Sequence, residues 1–103
     1  MARPSKLAAA EIASRLSTLP GWSITGGKLH RELAFTDFAQ AFAFMTDVAR
    51  EAETLRHHPE WFNVYNRVVI DLTTHDAGGI TTLDFELARR AEDLAGRRAR
   101  PAS

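Results

Sequence analysis

The chain contains no cysteine, which excludes disulfide bridges and thiolate metal sites and is compatible with a reducing compartment. It carries no excess charge either. Its 13 basic and 13 acidic side chains cancel over 103 residues, so no net positive field favours a phosphate backbone, and direct nucleic-acid binding is not expected. No apolar run approaches the ~18 residues that a membrane span requires. The apolar stretch after Arg3 and Lys6 is broken by Glu11 and Arg15, too soon for the core of a signal peptide. A cytosolic protein without membrane attachment is therefore expected. Also missing are a nucleophile elbow and an HExxH zinc helix. The Gly26-Gly27 and Gly78-Gly79 pairs lack the spacing and the following Lys-Ser/Thr of a phosphate-binding loop. His57 and His58 are adjacent and should diverge, so they do not supply the converging ligands of a metal site, and none is expected.

What is present fits one ordinary globular domain over residues 1–103, with 45% hydrophobic and 25% charged residues and ends expected to fray at about 1–5 and 97–103. Ile12, Leu16 and Leu19 recur at helical spacing between Leu7 and Leu19, ahead of a Pro20-Gly21 stop. Trp22–Thr25, Gly26-Gly27 and Lys28–Phe35 read as a hairpin. In its second strand Leu29, Arg31, Leu33 and Phe35 alternate with His30, Glu32 and Ala34, and Arg31 and Glu32 are most simply surface charges. Thr36 and Asp37 are N-cap candidates for a helix whose apolar positions are Phe38, Phe42, Met45, Val48, Ala49, Ala52 and Leu55. It should end near His57, because Pro59 biases His58 away from helical geometry.

Residues 63–72 alternate with period two and fit either one long strand or a hairpin near Tyr65-Asn66-Arg67, since asparagine accepts the left-handed conformation of a tight turn. After Thr73–Gly79, Thr81 opens a last helix as N-cap, with Asp84 three residues on as its capping-box partner and Ile80 and Phe85 as a hydrophobic staple. Leu83, Leu87, Ala91 and Leu94 continue its apolar stripe. The coarse order is helix, two strands, helix, one or two strands, helix: an α+β domain with helices on an antiparallel sheet.

Three of the four histidines fall between Glu53 and Asp84, at the ends of expected elements. Negative potential from the helix C-terminus and from Glu53, one turn earlier, would suit His57 to general acid work. A solvated histidine interacting with the last carbonyls is the plainer reading. His75 could add a third imidazole or be an exposed turn residue. Asp84 has a sufficient role in the capping box, and Trp61, Phe62 and Tyr65 are as readily core or interface as a stacking platform. Together these groups are equipped for proton transfer and not for redox or phosphoryl chemistry.

The string Glu53-x-x-x-His57-His58-Pro59, followed by Trp61, Val64-Tyr65-Asn66, Thr74-His75-Asp76 and Asp84, closely resembles the pterin-4a-carbinolamine dehydratase family. The resemblance extends to Gly21-Trp22, Leu29-x-Arg31 and Phe35-x-x-Phe38, and spans the first helix to about Ala95. It implies an α-β-β-α-β-β-α fold, a four-stranded antiparallel sheet with three helices on one face, and so the hairpin near Asn66. It implies a pterin substrate, water elimination from a 4a-hydroxytetrahydropterin, no cofactor, and a homodimer or homotetramer. His57, His58 and His75 would line the pocket, His57 and His75 as proton donors and His58 to orient the ring. Glu53 and Asp84 would hold imidazoles, and Trp61 would shape the pocket. The same resemblance leaves a second role open, as a dimerisation cofactor of homeodomain transcription factors.

Overall fold

The computed structural model describes residues 4–100. Along the chain run α1 (Ala9–Leu16), β1 (Ser23–Thr25), β2 (Lys28–Ala34), α2 (Phe38–Leu55), β3 (Glu60–Val64), β4 (Arg67–Leu72), a 3-10 turn (His75–Ala77) and α3 (Thr82–Ala95). The four strands form one antiparallel sheet in the order β1-β2-β4-β3. The helices cover one of its faces, as the α-β-β-α-β-β-α expectation required.

Strand register decides which side chains enter the core. Leu29 pairs with Leu72, Arg31 with Ile70 and Leu33 with Val68, so one face of β2 and β4 supplies a row of buried aliphatics. Phe35 and Phe44 meet above this row with ring centroids 4.9 Å apart. Arg31 shares that inner face but is not a free surface charge. Its guanidinium bonds Glu92 on α3 at 2.9 and 3.3 Å, and a Cβ on Gly21 would collide with it.

α2 is capped as expected by Asp37, whose carboxylate accepts the Gln40 N–H at 2.9 Å. Its buried stripe is Ala41, Phe44, Val48 and Ala52, so the expected apolar stripe is rotated. Phe38 and Phe42, assigned to that stripe by their period, are about half exposed and pack on each other outside it, 5.6 Å between centroids. α1 is shorter than its periodicity suggested. Ala8 at its N-cap has no side-chain oxygen to hold the first turn.

The hairpin between β3 and β4 turns where expected, but Tyr65 (φ 50°) takes the left-handed conformation that asparagine was expected to take. Asn66 is needed elsewhere. Its side chain donates to the Phe35 carbonyl at 2.9 Å and its own carbonyl accepts the Phe35 N–H, tying the turn to the end of β2. Residues 97–100, expected to fray, are held. The Thr36 N–H donates to the Ala99 carbonyl, and Arg100 donates to the Ala34 carbonyl with its guanidinium 5.2 Å from the Phe35 ring centroid. Residues 1–3 and 101–103, the outer parts of the expected frayed ends, lie outside the described residues.

On the sheet face away from the helices, His30 sits between two carboxylates, Nδ1 2.8 Å from Asp71 and Nε2 3.2 Å from Glu32. Two acceptors require both ring nitrogens to donate, which is the imidazolium form. The hydrogen bond to Asp71 is the main cause that raises the His30 pKa, with burial opposing it. A raised folded-state pKa gives stability that is fully present below the unfolded value of 6.5 and is lost as pH rises through the folded value. The thermal midpoints of wild type and His30→Gln should therefore differ most below the unfolded value of 6.5 and converge as pH rises through the raised folded value. A difference that stays constant across that window would show that His30 contributes through packing alone.

Candidate active site

The segment after α2 creates the site. Arg56 closes the helix in the left-handed conformation (φ 52°, ψ 42°), and the His57 N–H reaches back to the Ala52 carbonyl at 3.0 Å. This reversal takes His57 off the helical track on which it would have faced Glu53, and drives it inward. His57 is only 4% exposed, not the solvated terminal residue of the plainer reading. Its Nε2 lies 2.5 Å from Oδ1 of Asp84, a fully buried carboxylate at the start of α3. Glu53 pairs instead with His58, Nε2 to Oε2 2.5 Å, in a largely exposed contact.

Asp84 performs two functions at once. Its Oδ2 accepts the Thr81 N–H at 2.8 Å, completing the capping box of α3, and the Thr74 hydroxyl at 2.9 Å. Thr74 and Thr81 hydroxyls are 2.8 Å apart. Since Thr74 spends its proton on Asp84, Thr81 must donate to Thr74 while accepting from the Leu83 N–H at 3.2 Å. Oδ2 of Asp84 thus accepts two donors while Oδ1 is presented to His57 as an acceptor. That fixes the proton of His57 on Nε2 and leaves Nδ1 as the nitrogen available for exchange.

His75 does not close a strand as expected; it begins the 3-10 turn that follows β4, stabilised by the Thr74–Gly79 bridge. Its Nε2 is 2.9 Å from Oε2 of Glu60, the first residue of β3. Glu60 also receives Lys28 Nζ at 2.5 Å. Lys28 first and His75 second hold the Glu60 carboxyl below the usual range. Glu60 and Thr74 were not among the expected site residues. Glu60 stands three positions from His57 in a segment that is not helical, so no period signals its partner. Only the sheet register, which sets Glu60 opposite Asp71, brings it to His75.

His57, His58, Thr73, His75 and Asp76 line one open cleft of about 200 Å3. The three expected imidazoles are therefore brought together, with Asp84 and Glu53 behind two of them. Trp61 is not on this wall; it is half-buried and packs against the core from the inner face of β3, opposite Ile70. A hollow of about 420 Å3 elsewhere is lined largely by arginines and carboxylates, one of about 290 Å3 mixes arginines with Thr18, Leu19, Thr82 and Phe85, and neither is lined by a histidine. Among the described residues, no group of three His, Asp or Glu side chains is placed to hold a metal ion. Nor is any helix among them long and apolar enough to cross a membrane. The arrangement can exchange protons at three imidazoles, each with one nitrogen occupied by a carboxylate.

Comparison with known proteins bears on the family of the whole chain. Residues 5–94 match the family model described as Pterin 4 alpha carbinolamine dehydratase. A Solibacter usitatus protein named "Putative pterin-4-alpha-carbinolamine dehydratase" is 58% identical over 91 residues, covering 88% of this chain and 96% of the relative. A crystal structure of a transcriptional coactivator/pterin dehydratase from Brucella melitensis superposes with a TM-score of 0.87 at 44% identity, covering 89% of this chain and all of that one. A pterin dehydratase-like protein identified as a RuBisCO assembly factor in the alpha-carboxysome is more distant, with a TM-score of 0.64 and 28% identity over 74% of this chain and 90% of that one. With the helix-covered antiparallel sheet and nearly the whole length matched, the chain belongs to the pterin 4 alpha carbinolamine dehydratase family.

Proposed function

We propose that this chain eliminates water from a 4a-hydroxytetrahydropterin to give quinonoid dihydropterin, with its histidines as general acids and bases. The observation that carries this reading is the single cleft lined by His57, His58 and His75, whose Nε2 atoms all face carboxylates. In the reaction the C4a–O bond breaks, the adjacent ring nitrogen loses its proton and a C=N bond forms. Hydroxide is a poor leaving group, so one imidazolium protonates the 4a-hydroxyl and water departs. The proton released from the ring nitrogen returns to solvent or to a neutral imidazole. Protons balance and no electrons are transferred, so the step calls for neither redox cofactor nor metal.

On this reading His57 and His75 are the proton donors, one toward each face of the bicycle, and His58 orients the ring. Glu53 and Asp84 hold His58 and His57, and Trp61 supports the pocket from the core side. Regeneration of tetrahydropterin for aromatic amino-acid hydroxylation, in the cytoplasm, is the corresponding role. The deciding measurement is carbinolamine dehydration by purified protein against the uncatalysed rate. Dihydropterin formation no faster than that background would defeat the proposal.

A second reading, as a protein-binding cofactor, draws on the coactivator and assembly-factor descriptions of the two solved relatives. It also draws on the exposed Phe38–Phe42 pair on α2. Exposed aromatics of this kind also support a homodimer or homotetramer, as do Phe62, Val64 and Tyr65 at the β3 edge. Light scattering of wild type and a Phe38→Ser, Phe42→Ser variant separates these uses. A change of mass that leaves dehydration intact would assign the α2 face to assembly.

A further inference from the structure

Each cleft histidine has a carboxylate partner, but only one of these carboxylates is itself fastened from another strand. Glu53 and His58 are both mostly exposed, and their contact has no third member among the described residues. Asp84 is fixed by burial and by the α3 cap. Glu60 is exposed enough to move (42%), and His75 more so (77%), yet Glu60 is the second contact of a three-residue chain. Lys28, the first residue of β2, reaches Oε1 of Glu60 at 2.5 Å while His75 meets Oε2 at 2.9 Å, so the two oxygens are divided between the two partners. The backbone of Glu60 is held by pairing with β4, and His75 sits on a short turn with few other restraints.

We propose that Glu60, anchored by Lys28, is a positioning residue that holds His75 over the cleft with its proton on Nε2 and its Nδ1 free for the substrate. This rests on the dehydratase reading for its catalytic consequence, though not for its geometry. A carboxylate accepts and cannot donate, so contact with Glu60 selects the Nε2–H tautomer of neutral His75. The same contact removes most rotations of an otherwise exposed ring. The ammonium of Lys28 biases Glu60 against turning to solvent. The effect should therefore appear in turnover more than in substrate binding, because a misdirected Nδ1 takes up and, as imidazolium, delivers its proton less effectively without removing the cleft.

The test combines Glu60→Val, which keeps a strand-forming residue but removes the acceptor, with Glu60→Gln and Lys28→Met. Glu60→Val should lower kcat about tenfold with KM changed less than about twofold, Glu60→Gln should recover part of that loss, and Lys28→Met should lose about threefold. Independently of activity, the 15N shifts of the neutral His75 ring should report Nε2–H in wild type and a mixture of tautomers in Glu60→Val. An active wild type whose kcat and His75 tautomer are untouched by Glu60→Val would overturn the assignment of Glu60 alone. An inactive wild type that keeps the Nε2–H signature, lost in Glu60→Val, would overturn the dehydratase reading and leave the positioning intact. Loss of strand signal by circular dichroism in Glu60→Val, with Glu60→Gln and Lys28→Met matching wild type, would also count against it.

Discussion

Replacing His57 or His75 by alanine is expected to slow carbinolamine dehydration by ~10²-fold or more, the scale on which a positioned general acid contributes. The two substitutions should differ in everything else. His57 is 4% exposed and its Nε2 is committed to Asp84, so removing it opens a small cavity and leaves a buried carboxylate short of a donor. Its loss should lower the melting temperature as well as turnover. His75 is 77% exposed and contributes little packing, so His75→Ala should retain the wild-type melting temperature and lose activity only. If the two imidazoles serve opposite faces of the pterin, each single variant slows one 4a epimer more than the other. Measuring the epimers separately, together with the double variant, checks the roles. Undiminished dehydration by the double variant would refute both assignments.

The largest loss of stability is expected from Asp84→Ala. The carboxylate is fully buried and receives the Thr81 N–H, the Thr74 hydroxyl and the His57 Nε2–H. Removing it leaves three buried donors without their acceptor, at about 1–3 kcal/mol for each donor that finds no water. Breaking a buried pair from one side typically costs about 3–5 kcal/mol. For a domain of this size that corresponds to a fall in melting temperature of roughly 15 °C or more. Asp84→Asn separates the two functions of the residue. Its amide oxygen can still cap α3, but its NH2 would then face the Nε2–H of His57 and favour the other tautomer. Stability should fall less than in Asp84→Ala, whereas dehydration should fall nearly as far as in His57→Ala. A melting temperature of Asp84→Ala within two or three degrees of wild type would show that water satisfies the three donors and that Asp84 is not the keystone of this corner.

Part of this corner was legible because its signals are short-ranged. The Thr81-x-x-Asp84 box announces the start of α3 whatever the rest of the chain does, and Asp37 does the same for α2. Pro20-Gly21 and Gly26-Gly27 punctuate the chain in the same local way, and period-two alternation separates the faces of β2. The polar inventory of the cleft was also visible, since three histidines between Glu53 and Asp84 stand out in any reading.

Pairing was not legible. One-turn spacing placed Glu53 beside His57, but the left-handed Arg56 sends His57 to Asp84, 27 residues away, and releases Glu53 to His58. Glu60 meets His75 across 15 residues, because β3 lies alongside β4 in a particular register. Asn66 gave up the left-handed turn position to Tyr65 in order to hold the end of β2, and Phe38 and Phe42 left the core stripe to face outward. The sequence by itself determined the three helices, the first hairpin and the helix caps, since capping, turn chemistry and hydrophobic period act within about four residues, while the resemblance of its motifs implied the family and the second hairpin. Only the tertiary structure decided which carboxylate each histidine meets, because those contacts depend on helix termination and strand register, which bring together side chains that no local period connects.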